Sequence, residues 1–252
     1  MPSAQLNTEN GELELSYVER GEGETVLLVH GFASNKEVNW VNTGWVKLLA
    51  HSGYHVVAFD NRGHGRSTKS HFEHDYSLNQ MADDALALLR HLEICKSHVM
   101  GYSLGARIAA TMAGRAPEQI SRLVFSGNGY NMVEGGFDSS QIRDGLLAPS
   151  MDDVSTVIGR EFRKFAESTG SDLEALAACI MGARHFIPRE VFESIGNQTL
   201  IAIGSEDDVA QDGGKLAKIM QNAIFREIPG RNHMNAVGDR IHKQLVLDFL
   251  MD

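Results

Sequence analysis

Short, dense apolar runs alternate along this chain with longer segments in which apolar residues recur every third or fourth position. Strands are predicted over Ser97–Tyr102, Arg122–Ser126 (RLVFS), Thr199–Ile203 (TLIAI) and Ala223–Ile228, and Thr25–His30 (TVLLVH) and His55–Phe59 (HVVAF) are compact β-branched and leucine-rich runs. Such runs suit strands buried on both faces. Leu13–Val18 instead alternates with Glu and Ser, the pattern of a half-buried edge strand. Leu78–Leu92 carries Met81, Ala85, Leu88, Leu89 and Leu92 at helical spacing. Helices are also predicted over Val46–His51, over Leu104–Ala116, around Gly214–Asn222 and near Gly238–Leu250. The small residues of Leu104–Ala116 allow close packing on a sheet, and Pro117 ends that helix. Strands alternating with helices predict an α/β fold, with a parallel sheet covered on both faces.

The alternation stops between Gly127 and about Gly196. That interval holds three helix-like stretches, near Val154–Ser168, Leu173–Gly182 and Arg189–Ile195. It reads as a helical insertion over one edge of the sheet. No internal repeat or low-complexity tract is present, and five prolines exclude a proline-rich linker.

Composition narrows the class. At 252 residues with 42% hydrophobic content, the chain is long enough for one domain with a full core. Lys plus Arg number 23 against 33 Asp plus Glu, a formal charge of -10 with no basic run. Phosphate neutralisation needs clustered cations, so nucleic acid is a poor partner, and anionic membranes are disfavoured. The two cysteines, Cys95 and Cys179, cannot form a disulfide framework or a four-cysteine zinc site, and are expected to be buried small hydrophobes. Met1–Asn10 lacks a hydrophobic signal core, and no apolar run approaches a membrane span. The expectation is a soluble, cytoplasmic protein without membrane insertion, with homo-oligomerisation left open.

The sharpest motif is Gly101-Tyr102-Ser103-Leu104-Gly105, a G-x-S-x-G between a predicted strand and a predicted helix. A sharp reversal there strains the serine backbone, and glycines two residues to either side remove Cβ atoms that would clash. The serine oxygen is lifted to a helix N-terminus, where developing negative charge is favoured. A serine hydroxyl is a weak nucleophile near neutrality. It needs a base, and the base needs an orienting carboxylate. Gly204-Ser205-Glu206-Asp207-Asp208 follows TLIAI, and Asn232-His233 follows the last strand and the Pro229-Gly230 turn. Ser103, Asp207 and His233 are therefore the candidate catalytic set. Glu206 and Asp208 adjoin the chosen acid, and only one of the three carboxylates can face His233. No carboxylate stands directly after RLVFS, where Gly127 and Asn128 follow.

Acyl transfer also needs oxyanion donors. The Leu104 N–H follows the nucleophile directly, and Phe32, after His30-Gly31, is the second candidate. His30 itself is read as a packed structural histidine. His51, His55, His64, His71 and His74 suit neither a helix face nor a zinc site and are read as solvated loop residues. There is no H-E-x-x-H, no G-x-x-x-x-G-K-[ST] and no strand-linked G-x-G-x-x-G, so neither metal nor cofactor is expected.

VLLVHGF, FDNRGHGRS (Phe59–Ser67), GYSLG, GSEDD and NH, in this order, resemble the alpha/beta-hydrolase fold superfamily. The resemblance implies a mostly parallel eight-stranded sheet flanked by helices. It implies a core of residues 1–127 and 196–252, and a small helical cap over 128–195 that covers the site and shapes its pocket. It implies structural roles for Asp60, Arg62, His64 and Ser67. It also implies an esterase-like serine hydrolase of a small-molecule acyl substrate, most simply a carboxylesterase. Ser103 departs from the aspartate that dehalogenases and epoxide hydrolases of the superfamily carry at the elbow.

GYSLGARI also resembles the elbow of a pyruvate-eliminating synthase and of carbon–carbon bond hydrolases, although Ala106 stands where those synthases usually carry glycine. That alternative implies a carboxylated substrate, with Arg107, Arg143, Arg160 and Arg184 as candidate binders. A ligand-binding receptor on a hydrolase scaffold is the third reading, marked by tight binding and slow turnover.

Overall fold

The computed structural model describes residues 2–8, 11–135 and 138–252. Eight strands form one sheet: β1 (Ser3–Thr8), β2 (Gly11–Arg20), β3 (Glu24–Val29), β4 (Tyr54–Phe59), β5 (Ser97–Tyr102), β6 (Ile120–Ser126), β7 (Gln198–Gly204) and β8 (Ala223–Ile228). Their spatial order is β1-β2-β4-β3-β5-β6-β7-β8. From β4 to β8 every pairing is parallel, whereas β2 runs antiparallel to both β1 and β4.

Strands β3, β4, β5 and β7 lack polar alternation because both faces are buried, whereas β8, at the far edge of the sheet, keeps exposed positions. Leu27 and Val29 of β3, Val57 and Phe59 of β4, and Val99 of β5 enter one core cluster. Their neighbours Val26, Leu28, Val56, Ala58 and Met100 enter a second cluster on the opposite face. Period-two geometry sends successive side chains to opposite faces, so a continuous apolar run is what a doubly covered strand requires. Helices α2 (Leu78–His91) and α3 (Leu104–Arg115) cover the first face, and α1 (Trp45–His51) and α10 (Arg240–Met251) the second. Ser77 caps α2 by accepting from the Gln80 N–H.

Leu13–Val18 is not an edge strand. It lies inside β2, and the edge is β1, in a stretch that reads as polar. Met1 and Asn10, the limits of that stretch, lie outside the described residues. Ala4 and Leu6 pair with Leu15 and Leu13, and all four enter the core beside α2. Two apolar residues among Gln5, Asn7 and Thr8 are too few to announce a strand without its partner.

Between β6 and β7 lie α4 (Asn131–Glu134), α5 (Ser139–Leu147), α6 (Val157–Ser168), α7 (Leu173–Gly182) and α8 (Arg189–Ser194). The first two add to the three predicted helices. α5 and α6 touch through Gly145 and Gly159, where a Cβ on Gly145 would lie 2.7 Å from the Gly159 Cα. Arg163 reaches from α6 to the carbonyls of Leu146 (2.8 Å) and Ala148 (3.0 Å), satisfying the open end of α5. After this segment, α9 (Gly213–Ile219) precedes β8.

Two expectations about single residues fail. Cys95 is exposed, in the loop before β5, while Cys179 is buried in α7. Of the five histidines read as loop residues, His51 ends α1, His55 lies in β4 against Glu19 and Thr25, and His64 is wholly buried. Local histidine density carried no information about which strand or turn would enclose each ring.

Candidate active site

The turn from β5 into α3 places Ser103 at φ 54°, ψ -115°, a backbone strained for any residue with a side chain. Close packing enforces it. A Cβ on Gly101 would lie 2.1 Å from the Gly105 carbonyl oxygen, and one on Gly105 would lie 1.9 Å from the Val29 carbonyl oxygen. The glycines of the motif thus let the helix start directly against the sheet. The Ser103 N–H donates to Ser126 O at 2.8 Å, and the Asn128 amide donates to Ser103 O at 2.9 Å, tying the turn to the end of β6.

His233 lies in the loop after β8. Its Nε2 stands 3.0 Å from Ser103 Oγ, and its Nδ1 stands 2.9 Å from Asp207 Oδ2. A carboxylate can only accept, so Nδ1 carries the proton and Nε2 offers its lone pair to the serine hydroxyl. Of the three adjacent carboxylates, Asp207 is the one that faces His233. Its Oδ1 also accepts from the Val209 and Ala210 N–H groups (3.1 and 2.9 Å), which turns it inward, while Glu206 and Asp208 stay exposed.

Leu104 is the first residue of α3, so its N–H has no carbonyl one turn earlier to engage. Phe32 sits in the turn after β3, and a Cβ on the preceding Gly31 would lie 3.3 Å from Ser103 Cβ. Both proposed oxyanion donors therefore border the serine.

The residues around these turns hold them in place. His30 donates from Nδ1 to Gly31 O (2.8 Å) and accepts the Asn61 N–H at Nε2 (2.9 Å). Burial holds its pKa below the usual histidine value and pushes that of His64 down to about 3. Asp60 accepts from the Lys36 N–H (2.8 Å), the Lys36 ammonium (2.7 Å) and the Arg66 N–H (2.9 Å). Burial alone would raise its pKa, but His30, Lys36 and these amides hold it below the carboxylate range. Arg62 forms a buried pair with Asp84 of α2, and the Ser67 hydroxyl donates to Asp60 O at 2.6 Å.

Two cavities border Ser103, and a third lies beyond His233. One of about 70 Å³ is bordered by Ser103, Leu104, Arg107, Asn128 and Arg184. A second of about 200 Å³ is bordered by Tyr102, Ser103 and His233. A third of about 660 Å³ opens past His233 between α6 and the loops after β7 and β8. The four candidate arginines separate here. Arg107 and Arg184 face the first cavity, whereas Arg143 pairs with Asp144 and Arg160 reaches Asp152 O at 3.4 Å on the outside. Among the described residues no group of three or more His, Cys, Asp or Glu could hold a metal ion.

Sequence reasoning missed the residues that fix the loop bearing His233. The Tyr102 hydroxyl donates to His233 O at 2.5 Å, and the Trp45 indole donates to Val237 O at 2.6 Å. His242 donates from Nδ1 to Ala236 O (3.1 Å), so its Nε2 accepts from the Ser126 hydroxyl (2.8 Å). One network therefore joins the loop bearing His233 to the strand end that holds Ser103. Tyr102 lay inside the motif and was readable as a position, but nothing in the sequence signalled the partners of Trp45, His242 or the buried Lys36.

A family model described as the alpha/beta hydrolase fold matches residues 24–171. The dihydrolipoyllysine-residue acetyltransferase component of an acetoin cleaving system from Pseudomonas putida is 37% identical over 123 residues, covering 48% of this chain and 32% of that protein. The match thus spans about a third of that relative's length. An enol-lactonase from Burkholderia xenovorans superposes with a TM-score of 0.82 at 21% identity, over 100% of both chains. A bromoperoxidase from Bacillus anthracis superposes at 0.81 with 22% identity, also over 100% of both. At these identities the structural likeness is one of fold. No helix among the described residues is long and apolar enough to cross a membrane.

Proposed function

The chain belongs to the alpha/beta-hydrolase fold family, and from that premise we propose that it is a serine hydrolase of small acyl substrates, acting as a carboxylesterase. The observation that carries this reading is the continuous path from Ser103 Oγ through His233 to Asp207, with steps of 3.0 and 2.9 Å. His233 takes the hydroxyl proton as Ser103 Oγ attacks the ester carbonyl. Asp207 holds the required tautomer and stabilises the imidazolium that forms. The Phe32 and Leu104 N–H groups receive the oxyanion, a role whose loss costs roughly 10²–10³ in kcat per donor. The tetrahedral intermediate collapses as His233 returns the proton to the leaving alkoxide. Water then attacks the acyl-serine, giving its proton to His233, and the acid leaves as Ser103 recovers that proton.

The helices between β6 and β7 act as a cap. Phe32 and Phe162 of α6 stand 5.7 Å apart, so α6 closes over the oxyanion turn and limits water there. A fluorophosphonate probe tests the nucleophile: the wild type is labelled and S103A is not. Hydrolysis of p-nitrophenyl acetate and butyrate tests the reaction class. Folded protein that resists labelling overturns the assignment. Turnover of vinylogous diketo acids with no ester hydrolysis moves the chemistry to carbon–carbon cleavage.

A further inference from the structure

The Phe32 N–H shares a peptide plane with the Gly31 carbonyl. In a trans peptide these two groups point in opposite directions, so whatever holds Gly31 O also aims the Phe32 N–H. Two donors hold that oxygen, His30 Nδ1 at 2.8 Å and the Ser34 N–H at 3.3 Å. Asn39 fixes the preceding peptide by accepting the Gly31 N–H at 3.1 Å. The Ser34 bond closes a turn over residues 31–34 whose third residue, Ala33, stands at φ 58°. A turn with positive φ at that position ordinarily takes glycine, and an alanine persists there only when its surroundings hold it.

Part of that hold comes from the cap. Thr169, directly after α6, donates its hydroxyl to Ala33 O at 3.0 Å, and among the described residues no other donor reaches that carbonyl. The hydroxyl carries one proton, and the other carbonyl beside it, Ala166 O at 2.9 Å, already accepts the Ser171 N–H. The Ser171 hydroxyl lies 2.8 Å from Thr169 Oγ1 and can donate to it. Ala33 O and the Ser34 N–H again share one peptide plane. A single series therefore runs from the Thr169 hydroxyl to Ala33 O, from the Ser34 N–H to Gly31 O, and out through the Phe32 N–H. Hydrogen bonds in such a series polarise one another. Phe162, seven residues before Thr169 and on the same side of α6, sets its ring 5.7 Å from that of Phe32, so the cap holds both central residues of the turn.

We propose that Thr169 is a positioning residue for the oxyanion site, through which the cap aims the Phe32 N–H at the reacting oxygen. The assignment rests on the serine-hydrolase reading above. Thr169 itself touches no reacting atom. Without its hydroxyl, Ala33 O is left unpaired and the turn loses its outer support, while the Leu104 N–H, set by the start of α3, keeps its place. One donor is then misaimed rather than removed, so the loss should fall short of the roughly 10²–10³ that a deleted donor costs.

Fluorophosphonate labelling tests this without a known substrate, because negative charge builds on the phosphoryl oxygen as Ser103 attacks. T169V, close in shape, should lower the maximal labelling rate about tenfold, the scale of one hydrogen bond, with the half-saturating probe concentration unchanged. T169S keeps the hydroxyl and should restore the wild-type rate. On p-nitrophenyl acetate, kcat should fall in parallel while KM holds. If T169V does not fold, T169C supplies only a weak S–H donor and should label at an intermediate rate. A folded T169V or T169C with a lowered urea midpoint but a wild-type labelling rate makes Thr169 merely structural and overturns the proposal, leaving the serine-hydrolase reading in place. T169S as slow as T169V overturns it too. A wild type that is neither labelled nor active on esters overturns both.

Discussion

Gly105→Ala probes the packing that creates the strained turn at Ser103. The added Cβ would lie 1.9 Å from Val29 O, 2.6 Å from Val29 C and 2.9 Å from His30 O. These are backbone atoms of β3 and the residue after it, so no rotamer relieves the clash. Restoring an ordinary contact of 3.4 Å from 1.9 Å moves the start of α3 by about 1.5 Å. Overpacking of this kind costs about 1–3 kcal/mol, of which roughly 1 kcal/mol returns through the better helix propensity of alanine. The same movement displaces Ser103 and the Leu104 N–H, and a misplacement near 1 Å costs roughly 10²-fold in rate. Gly114→Ala is the matched control on the same helix. Its Cβ would meet Val191 Cγ1 at 2.7 Å, with the next contact at 4.0 Å, and a valine can rotate away. G114A should stay within about 1 kcal/mol of the wild type and keep its turnover. Urea unfolding and kcat/KM on p-nitrophenyl butyrate measure both effects. A G105A protein with wild-type midpoint and wild-type turnover would refute the claim that glycine is required for the helix to approach the sheet.

D207N should lower kcat by roughly 10⁴ while D208N changes it little, because only Asp207 faces His233; equal losses on p-nitrophenyl butyrate would contradict the assignment. Acid should destabilise the fold through His64 and His242, whose folded pKa values lie near 3 and 4 against 6.5 unfolded. As pH falls below 6.5 the unfolded chain gains protons that the folded chain refuses, so stability drops, by on the order of 5 kcal/mol in all at pH 4.5. Urea midpoints that match at pH 7 and 4.5 would contradict this. H242F leaves the Ser126 hydroxyl and the Ala236 carbonyl unpaired, at about 1–3 kcal/mol each, and loosens the loop that bears His233. Its kcat should fall more than its KM rises, and a variant with wild-type stability would remove His242 from the network.

Much of the fold was legible because burial on two sides leaves a plain trace. TVLLV and TLIAI have no polar alternation, and a strand covered on both faces can have none. The elbow was legible for a local reason: Ser103 needs small neighbours at positions 101 and 105, and those glycines lie two residues away in the sequence. β1 was not legible, because Ala4 and Leu6 gain their burial only from Leu15 and Leu13 across the sheet and from α2. Cys95 and His64 went astray for the same reason, since exposure of a single small or aromatic residue depends on what packs over it.

By itself the sequence determined the strand runs, the elbow and the short list of partners for the serine. These are written in local periodicity and spacing. Tertiary structure alone decided which of three carboxylates meets the imidazole, because Val209 and Ala210 turn Asp207 inward through backbone contacts. It alone decided that Arg107 and not Arg143 shares a cavity with Ser103, and that Lys36 is buried on Asp60. Those outcomes depend on distances between segments far apart in the chain, and no local pattern encodes them.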